Sequence, residues 1–164
     1  MKILGIDPGT RIMGYGIVDA EDDDITLVDF GVLIPTKNDN NSERLHDLHQ
    51  GVLEVIRRHR PQAVAVEQPF VSKNVRSAMA IGRAQAIALL AAASEHIPTY
   101  EYTPTQIKQR VANYGASSKE QIQEMVKLQL GLSEIPEPND AADALAVAIC
   151  HIREMHLNNI LANQ

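Results

Sequence analysis

The residues that decide the fold are Met1-Lys2-Ile3-Leu4-Gly5-Ile6-Asp7-Pro8-Gly9-Thr10. Residues 3–7 form a short apolar run that predicts a buried strand, and Asp7 ends it directly before a turn. Two following segments, 15–20 and 25–34, alternate in polarity and are joined by an acidic turn. The sequence therefore predicts an antiparallel meander of three strands.

After the meander, helices and strands are expected to alternate. Two capping boxes, Thr103 to Gln106 and Ser118 to Gln121, predict the starts of two short helices. The other predicted elements are strands over residues 63–66 and 99–102 and helices over residues 42–59, 75–95 and 139–157. This order predicts an α/β fold in which helices flank a mixed five-stranded sheet.

The composition is that of a globular domain. Of the 164 residues, 45% are hydrophobic and 22% are charged, which argues against a disordered or membrane protein. We expect one domain over residues 1–157 and a C-terminal tail over residues 158–164. The longest uncharged, strongly apolar stretch, residues 84–93, is about half as long as a bilayer span. The single Cys150 cannot form an internal disulfide, so we expect it to be packed and the protein to be cytoplasmic.

Charge is divided unevenly along the chain. The formal net charge is -6, which argues against binding to nucleic acid. However, nine basic and only three acidic residues lie between Arg57 and Lys119, against six basic and eighteen acidic residues elsewhere. Such asymmetry can make one face of an acidic protein cationic. A solvated mixed surface explains the same charges equally well.

Four acidic residues stand where the predicted elements converge. Asp7 ends the first strand and Glu67 ends the strand over residues 63–66, where an isolated charge would be costly to desolvate. Asp140 and Asp143 are three residues apart and project from one face at the start of the last helix. The neighbours of this pair are mostly alanines, which would let the helix approach the sheet closely.

Carboxylates brought together repel one another unless cations lie among them. Hard oxygen ligands without nearby cysteine suit Mg²⁺ or Mn²⁺ better than Zn²⁺. Two such ions, about 4 Å apart, can activate water and stabilise the leaving oxygen of a phosphodiester. The pattern therefore predicts metal-dependent phosphodiester hydrolysis.

Each acid also has an ordinary structural interpretation. Asp7 before Pro-Gly is a common turn former, Asp140 could cap the last helix, and Asp143 could simply favour the helix dipole. Glu67 is harder to explain in this way, because a charged residue within Val-Glu-Gln-Pro has no capping role. Taken singly, the structural interpretations are favoured. The functional interpretation is favoured when the four acids are taken together and combined with the resemblance described next.

Several motifs in fixed order resemble one known family. They are Gly5-Ile6-Asp7-Pro8-Gly9-Thr10-Arg11, Gly14-Tyr15-Gly16, Glu67-Gln68-Pro69-Phe70, Lys73-Asn74, Ser77-Ala78 and Asp140-Ala141-Ala142-Asp143-Ala144-Leu145-Ala146. Across nearly the whole chain, they resemble the RuvC family of crossover junction endodeoxyribonucleases. Asp-Pro-Gly alone is a weak signal, whereas the ordered set is highly specific.

The resemblance implies an RNase H-like fold and a homodimer that resolves four-way (Holliday) DNA junctions in recombination and repair. It also implies two Mg²⁺ ions per active site, replaceable by Mn²⁺, with Asp7, Glu67, Asp140 and Asp143 in the ligand and catalytic positions. Paired symmetric nicks would leave 5′-phosphate and 3′-hydroxyl ends. A partnership with the RuvA–RuvB branch-migration complex is implied as well. Two symmetric nicks independently require two sites, hence two chains.

The resemblance also suggests residues that contact DNA. Phe70 matches an aromatic position beside the junction centre, where a ring could stack on an unpaired base, although packing against the long helix is the alternative. Lys108 and Lys119 match basic positions that would face phosphates near the metals. Lys73 and Arg76 are candidate backbone contacts, and ordinary surface charge explains them equally well.

One departure and three other functions are considered. After Gly82 the family often has Ala-Arg-Gly, whereas this chain has Arg83-Ala84-Gln85, which puts a basic contact or a close helix approach in question. The acidity of the chain predicts a weaker or more salt-sensitive grip on DNA. Three other functions are compatible with parts of the sequence: an actin-like or hexokinase-like ATPase, a nuclease that acts on RNA, and a non-catalytic DNA-binding module. The ATPase needs a second phosphate loop, and this chain has none that we can identify.

Overall fold

The computed structural model describes residues 1–36, 40–70 and 74–163. Ten elements follow one another in the order predicted by the sequence. They are β1 (Lys2–Asp7), β2 (Met13–Glu21), β3 (Asp24–Leu33), α1 (Asn41–His59), β4 (Ala63–Glu67), α2 (Val75–Ser94), β5 (Thr99–Tyr102), α3 (Pro104–Ala112), α4 (Lys119–Gln129) and α5 (Asn139–Ala162).

The strands form one mixed sheet in the order β3-β2-β1-β4-β5. The meander β1-β2-β3 is antiparallel, whereas β4 and β5 add to β1 in parallel. The predicted α/β fold with a mixed five-stranded sheet is confirmed. Because β1 and β4 are parallel neighbours at the centre, their carboxyl ends open on the same edge of the sheet, where active sites of α/β proteins gather.

Successive residues of β1 face two different cores. Leu4 and Ile6 are buried against α1 and α2, whereas Ile3 belongs to the core beneath α3, α4 and α5. The sheet is thus covered on both faces, and its central strands are almost wholly apolar for that reason. α5 lies across β1 and β2 and is buried along most of its first half.

Glycines leave room for α5 against the sheet. A Cβ atom at Gly14 would lie 1.9 Å from the carbonyl oxygen of Asp140, and one at Gly5 would lie 2.1 Å from that of Ala144. Neither distance is compatible with a side chain, so these positions accept only hydrogen. The start of α5 therefore lies directly on the strands, beside the end of β1.

The element limits differ from the predictions by more than one residue in two places. β2 begins at Met13 instead of residue 15, because Gly14 pairs with Asp7 and extends the ladder although glycine hides the alternation. α5 continues to Ala162, five residues beyond the predicted end at 157. Both capping boxes are confirmed, with Thr103 and Ser118 as N-caps of α3 and α4.

Among the described helices, α2 is long and apolar enough to span a bilayer, judged by length and composition alone. The helix includes Arg76 and Arg83, so the predicted uncharged run of residues 84–93 is only a part of it. In the fold, however, α2 packs against α1 and β4, and Ala84, Ala88 and Ala91 are completely buried. Only 22% of its apolar stretch is buried, so much of the helix surface is exposed in the single chain.

Candidate active site

Asp7 and Glu67 are neighbours at the carboxyl edge of the sheet. The parallel register pairs Ile6 of β1 with Val66 of β4, so the next residue on each strand is one of the two acids. Both side chains are only partly accessible. Two carboxyl groups are therefore held together by strands that cannot separate without breaking the centre of the sheet.

Asp140 and Asp143 lie on the first two turns of α5, above the same edge. The N-cap of this helix is Pro138, without a side-chain capping bond, so the interpretation of Asp140 as the cap is wrong. Both carboxylates gain from the helix dipole at this end. The contact of Gly14 with the Asp140 carbonyl fixes the helix start beside Asp7.

These residues open into a cleft of about 310 Å³. Its polar lining comes from Asp7, Glu67, Asp143, Lys108 and Lys119. Asp140 does not line the cleft, although its charge acts on Asp7. The structure thus brings three of the four acids predicted from the sequence into one cleft, together with two of the predicted basic residues.

Burial and mutual repulsion raise the pKa values of Asp7 and Glu67, the acids at the two strand ends. Burial, followed by the charges of Glu67, Asp143 and Asp140, raises the pKa of Asp7 to about 8. Burial and the charge of Asp143 likewise raise the pKa of Glu67 to about 7. The two side chains are close enough to share a hydrogen bond, and their raised pKa values favour a proton on the pair near neutral pH.

Lys119 supplies a positive charge to this cluster. Its ammonium Nζ lies 2.7 Å from Oδ2 of Asp143, whose side chain is 17% exposed. With Asp143 bonded to Lys119 and Asp7 bonded to Glu67, no three Asp, Glu, His or Cys side chains in the described ranges form a ready-made cation site.

The donor set nevertheless fits a hard divalent cation. Four carboxylates act on one another, and the raised pKa values of Asp7 and Glu67 show that the lysines do not balance them. Carboxylate oxygens without sulphur ligands are the donors that Mg²⁺ and Mn²⁺ prefer. The nearest cysteine, Cys150, is completely buried in the core, as predicted.

The predicted DNA contacts fall into different environments. Phe70 is 69% exposed, so the alternative of core packing is wrong. Arg76 lies exposed in the first turn of α2, and Lys108 is half-buried in the cleft. Lys119 faces a carboxylate in this state. Lys73 lies outside the described residues.

Two features of the site were missed from the sequence. The cleft has an apolar wall, made by Pro104, Ile107, Ile122 and Ala146, which only the packing of three helices brings together. In the protein interior, the Tyr102 hydroxyl and His151 Nδ1 form a buried hydrogen bond of 2.7 Å that links β5 to α5. A histidine within an apolar helical run was the available signal for this bond.

The departure after Gly82 also has a structural outcome. Arg83 is exposed, while Gln85 is buried and its amide donates to the Glu101 carboxylate. A Cβ atom at Gly82 would meet no other atom within 4 Å, so Gly82 makes no close helix contact within the chain.

A two-sided mixed sheet with carboxylates at the ends of its two central parallel strands and on the crossing helix defines an RNase H-like nuclease. The sequence model described as crossover junction endodeoxyribonuclease RuvC matches residues 3–151. This chain belongs to the RuvC family. Enzymes of the family depend on a divalent metal ion.

Relatives support the assignment over the full length. The chain is 56% identical to a crossover junction endodeoxyribonuclease RuvC of Dehalococcoides mccartyi, covering 99% of this chain and 97% of the relative. It is 50% identical to the RuvC of Chloroflexus aggregans, covering 92% of each. The family assignment argues against the ATPase hypothesis.

Solved structures confirm the fold. Thermus thermophilus RuvC in complex with Holliday junction substrate superposes with a TM-score of 0.90 at 37% identity, covering 96% of both chains. The yeast mitochondrial Holliday junction resolvase Ydc2 superposes with a TM-score of 0.68 at 14% identity, covering 92% of this chain and 77% of that one. The second likeness bears on the fold alone.

Proposed function

We propose that this chain resolves four-way DNA junctions by paired, symmetric, metal-dependent nicks. The observation that carries the proposal is the convergence of Asp7, Glu67 and Asp143 with two lysines in one cleft, within a chain whose residues 3–151 match the RuvC family. The complex of Thermus thermophilus RuvC with a Holliday junction supports the choice of substrate.

Within this proposal, Asp7, Glu67, Asp140 and Asp143 hold two Mg²⁺ ions, which Mn²⁺ can replace. When bound, such ions would supply the chemistry of activating water and stabilising the leaving oxygen of a phosphodiester. Asp7 and Glu67 must lose their shared proton before they serve as ligands, because a protonated carboxyl binds metal poorly. Lys108 and Lys119 balance phosphate charge at the mouth of the cleft.

Exposed aromatic and basic groups extend the DNA surface from the cleft. Phe70 presents a ring to solvent directly after the Glu67 strand, as expected of a residue that stacks on an unpaired base. Arg76 is positioned for a backbone contact, and Lys73 is proposed by resemblance alone. In this scheme the phosphate contacts orient the junction and the ring recognises its open centre.

A second copy of this chain is the proposed partner on α2. Val75, Met79 and Leu90 recur on one side of the helix and are 60%, 58% and 58% exposed. The open space above Gly82, between them, allows another helix to approach closely. An apolar stripe of this kind favours association, and two copies supply the two sites that two nicks require.

The wider setting belongs to the same proposal. We place the enzyme in the cytoplasm, acting with the RuvA–RuvB branch-migration complex. Resolution that becomes faster when RuvA, RuvB and ATP are added would support that partnership, and resolution unaffected by them would contradict it.

A synthetic four-way junction with labelled arms tests the function. We expect paired nicks at symmetric positions with Mg²⁺, none with EDTA, and none with Asp7→Asn in either condition. A junction that is bound but uncut across several sequences would leave only the DNA-binding role. A structured RNA of equal length, if cut as well as the junction, would favour the RNA nuclease.

A further inference from the structure

The residue that this inference concerns is Lys119, the first residue of α4. Its ammonium reaches across to α5 and lies 2.7 Å from Asp143 Oδ2. The lysine side chain is 58% exposed and the Asp143 side chain only 17% exposed, so the charged end points inward from an accessible stem. Lysine side chains commonly adopt the opposite arrangement, with the charge in water.

The ammonium serves more than one acid. Beyond its bond to Asp143, it is attracted by Asp7 and Asp140, and it in turn favours the ionised form of Glu67. One positive charge is therefore shared among the four carboxylates proposed to hold metal. It stands where a divalent cation would exert the same attractions more strongly.

We infer that Lys119 is a built-in placeholder cation, which holds the four-carboxylate cluster together without metal and is displaced from Asp143 when a divalent ion binds. The inference rests on the metal site of the proposed function. Displacement frees the Lys119 ammonium at the mouth of the cleft, where it can donate a hydrogen bond to a DNA phosphate. Metal loading thereby converts an internal counter-ion into a substrate contact.

Lys108 provides the matched control. It lines the same cleft and also acts electrostatically on Glu67, yet no carboxylate in the described residues lies within ion-pair distance of it. If the lysines were only background charge, removing either would strengthen metal binding to a similar degree. A placeholder competes directly, so removal of Lys119 must have much the larger effect.

The test is isothermal titration of Mn²⁺ into the full-length protein at pH 8 without DNA. We expect Lys119→Met to lower the Kd about tenfold, which corresponds to about 1.4 kcal/mol. Lys108→Met should change it about twofold or less, and Lys119→Arg, which keeps the charge, should bind no more tightly than wild type. Equal effects of the two methionine variants would overturn the inference.

A second readout needs no charge-removing variant. Lysines dimethylated with ¹³C keep their charge, and the Lys119 signal is assigned by its loss in Lys119→Arg. We expect this signal to move with Mg²⁺ and to saturate with metal binding; a stationary signal at saturation would overturn the inference. A wild-type protein that binds no Mn²⁺ overturns the proposed function as well, whereas binding without a gain in Lys119→Met overturns the inference alone.

Discussion

At the scale of single residues, the fold holds carboxylates close together although they repel one another. Asp7 and Glu67 are fixed by paired strands, and burial denies them the hydration that would stabilise their charges. A proton on this pair and the ion pair between Lys119 and Asp143 each reduce the repulsion in part. Such unfavourable clustering in a cleft is typical of functional sites.

Neutralising one acid should stabilise the metal-free protein. Asp7→Asn keeps the shape and removes a charge disfavoured by burial and by three carboxylates. At pH 8 in EDTA we expect its free energy of unfolding in urea to rise by about 1–2 kcal/mol, while junction cleavage is lost. An Asp7→Asn protein that is less stable than wild type under these conditions would contradict the account of stored repulsion.

The pH dependence of stability follows from the same pair. Both pKa values are raised in the folded state, so this contribution to stability is complete below the unfolded values near pH 4 and is lost as pH rises towards 8. In EDTA, the Tm of wild type relative to the double variant Asp7→Asn, Glu67→Gln should fall between pH 5.5 and 8.5. With Mg²⁺ the gain in Tm should instead grow with pH, because ionised carboxylates bind metal. A constant difference in EDTA would show that the pair is already ionised.

At the scale of elements, the site depends on how closely α5 approaches the sheet. A side chain at Gly14 would collide with the backbone of Asp140, so the helix start would have to move. We expect Gly14→Ala to lower the free energy of unfolding by more than about 2 kcal/mol and to weaken Mn²⁺ binding.

Gly115→Ala is the matched control for that variant. Its Cβ atom would meet only side-chain atoms of Gln109 and Thr105, at 3.3 Å, and these can shift. We expect a change in unfolding free energy of less than about 1 kcal/mol and unchanged Mn²⁺ affinity. Equal effects of the two alanine variants would mean that the close approach of α5 does not organise the site.

Local patterns in the sequence predicted the elements and located the acids. Capping boxes at Thr103 and Ser118 and the acids at two strand ends are short-range signals, which survive in the structure. The Lys119–Asp143 pair and the cleft's apolar wall depend on how distant helices pack, which no local period encodes. The true length of β2 was hidden by Gly14, because a glycine contributes nothing to hydrophobic alternation.

At the scale of the whole molecule, paired nicks need a dimer that the exposed stripe of α2 is proposed to form. Leu90→Glu should convert a dimer into monomers in light scattering, because it places a charge in an apolar contact. Paired nicking should fall, while Mn²⁺ binding per chain persists. Leu128→Glu, at a leucine on α4 that is 65% exposed, is the control and should stay dimeric. A monomeric wild type, or a dimeric Leu90→Glu, would remove α2 as the interface.

The central claim is that separate acids from β1, β4 and α5 meet around divalent cations. Anomalous diffraction from crystals soaked in Mn²⁺ tests it most directly, since the metal positions are seen without reference to activity. We predict anomalous peaks among the carboxylates of Asp7, Glu67, Asp140 and Asp143, with Lys119 turned away from Asp143. Saturating Mn²⁺ that leaves this cleft without a peak, or that binds only elsewhere, would contradict the claim.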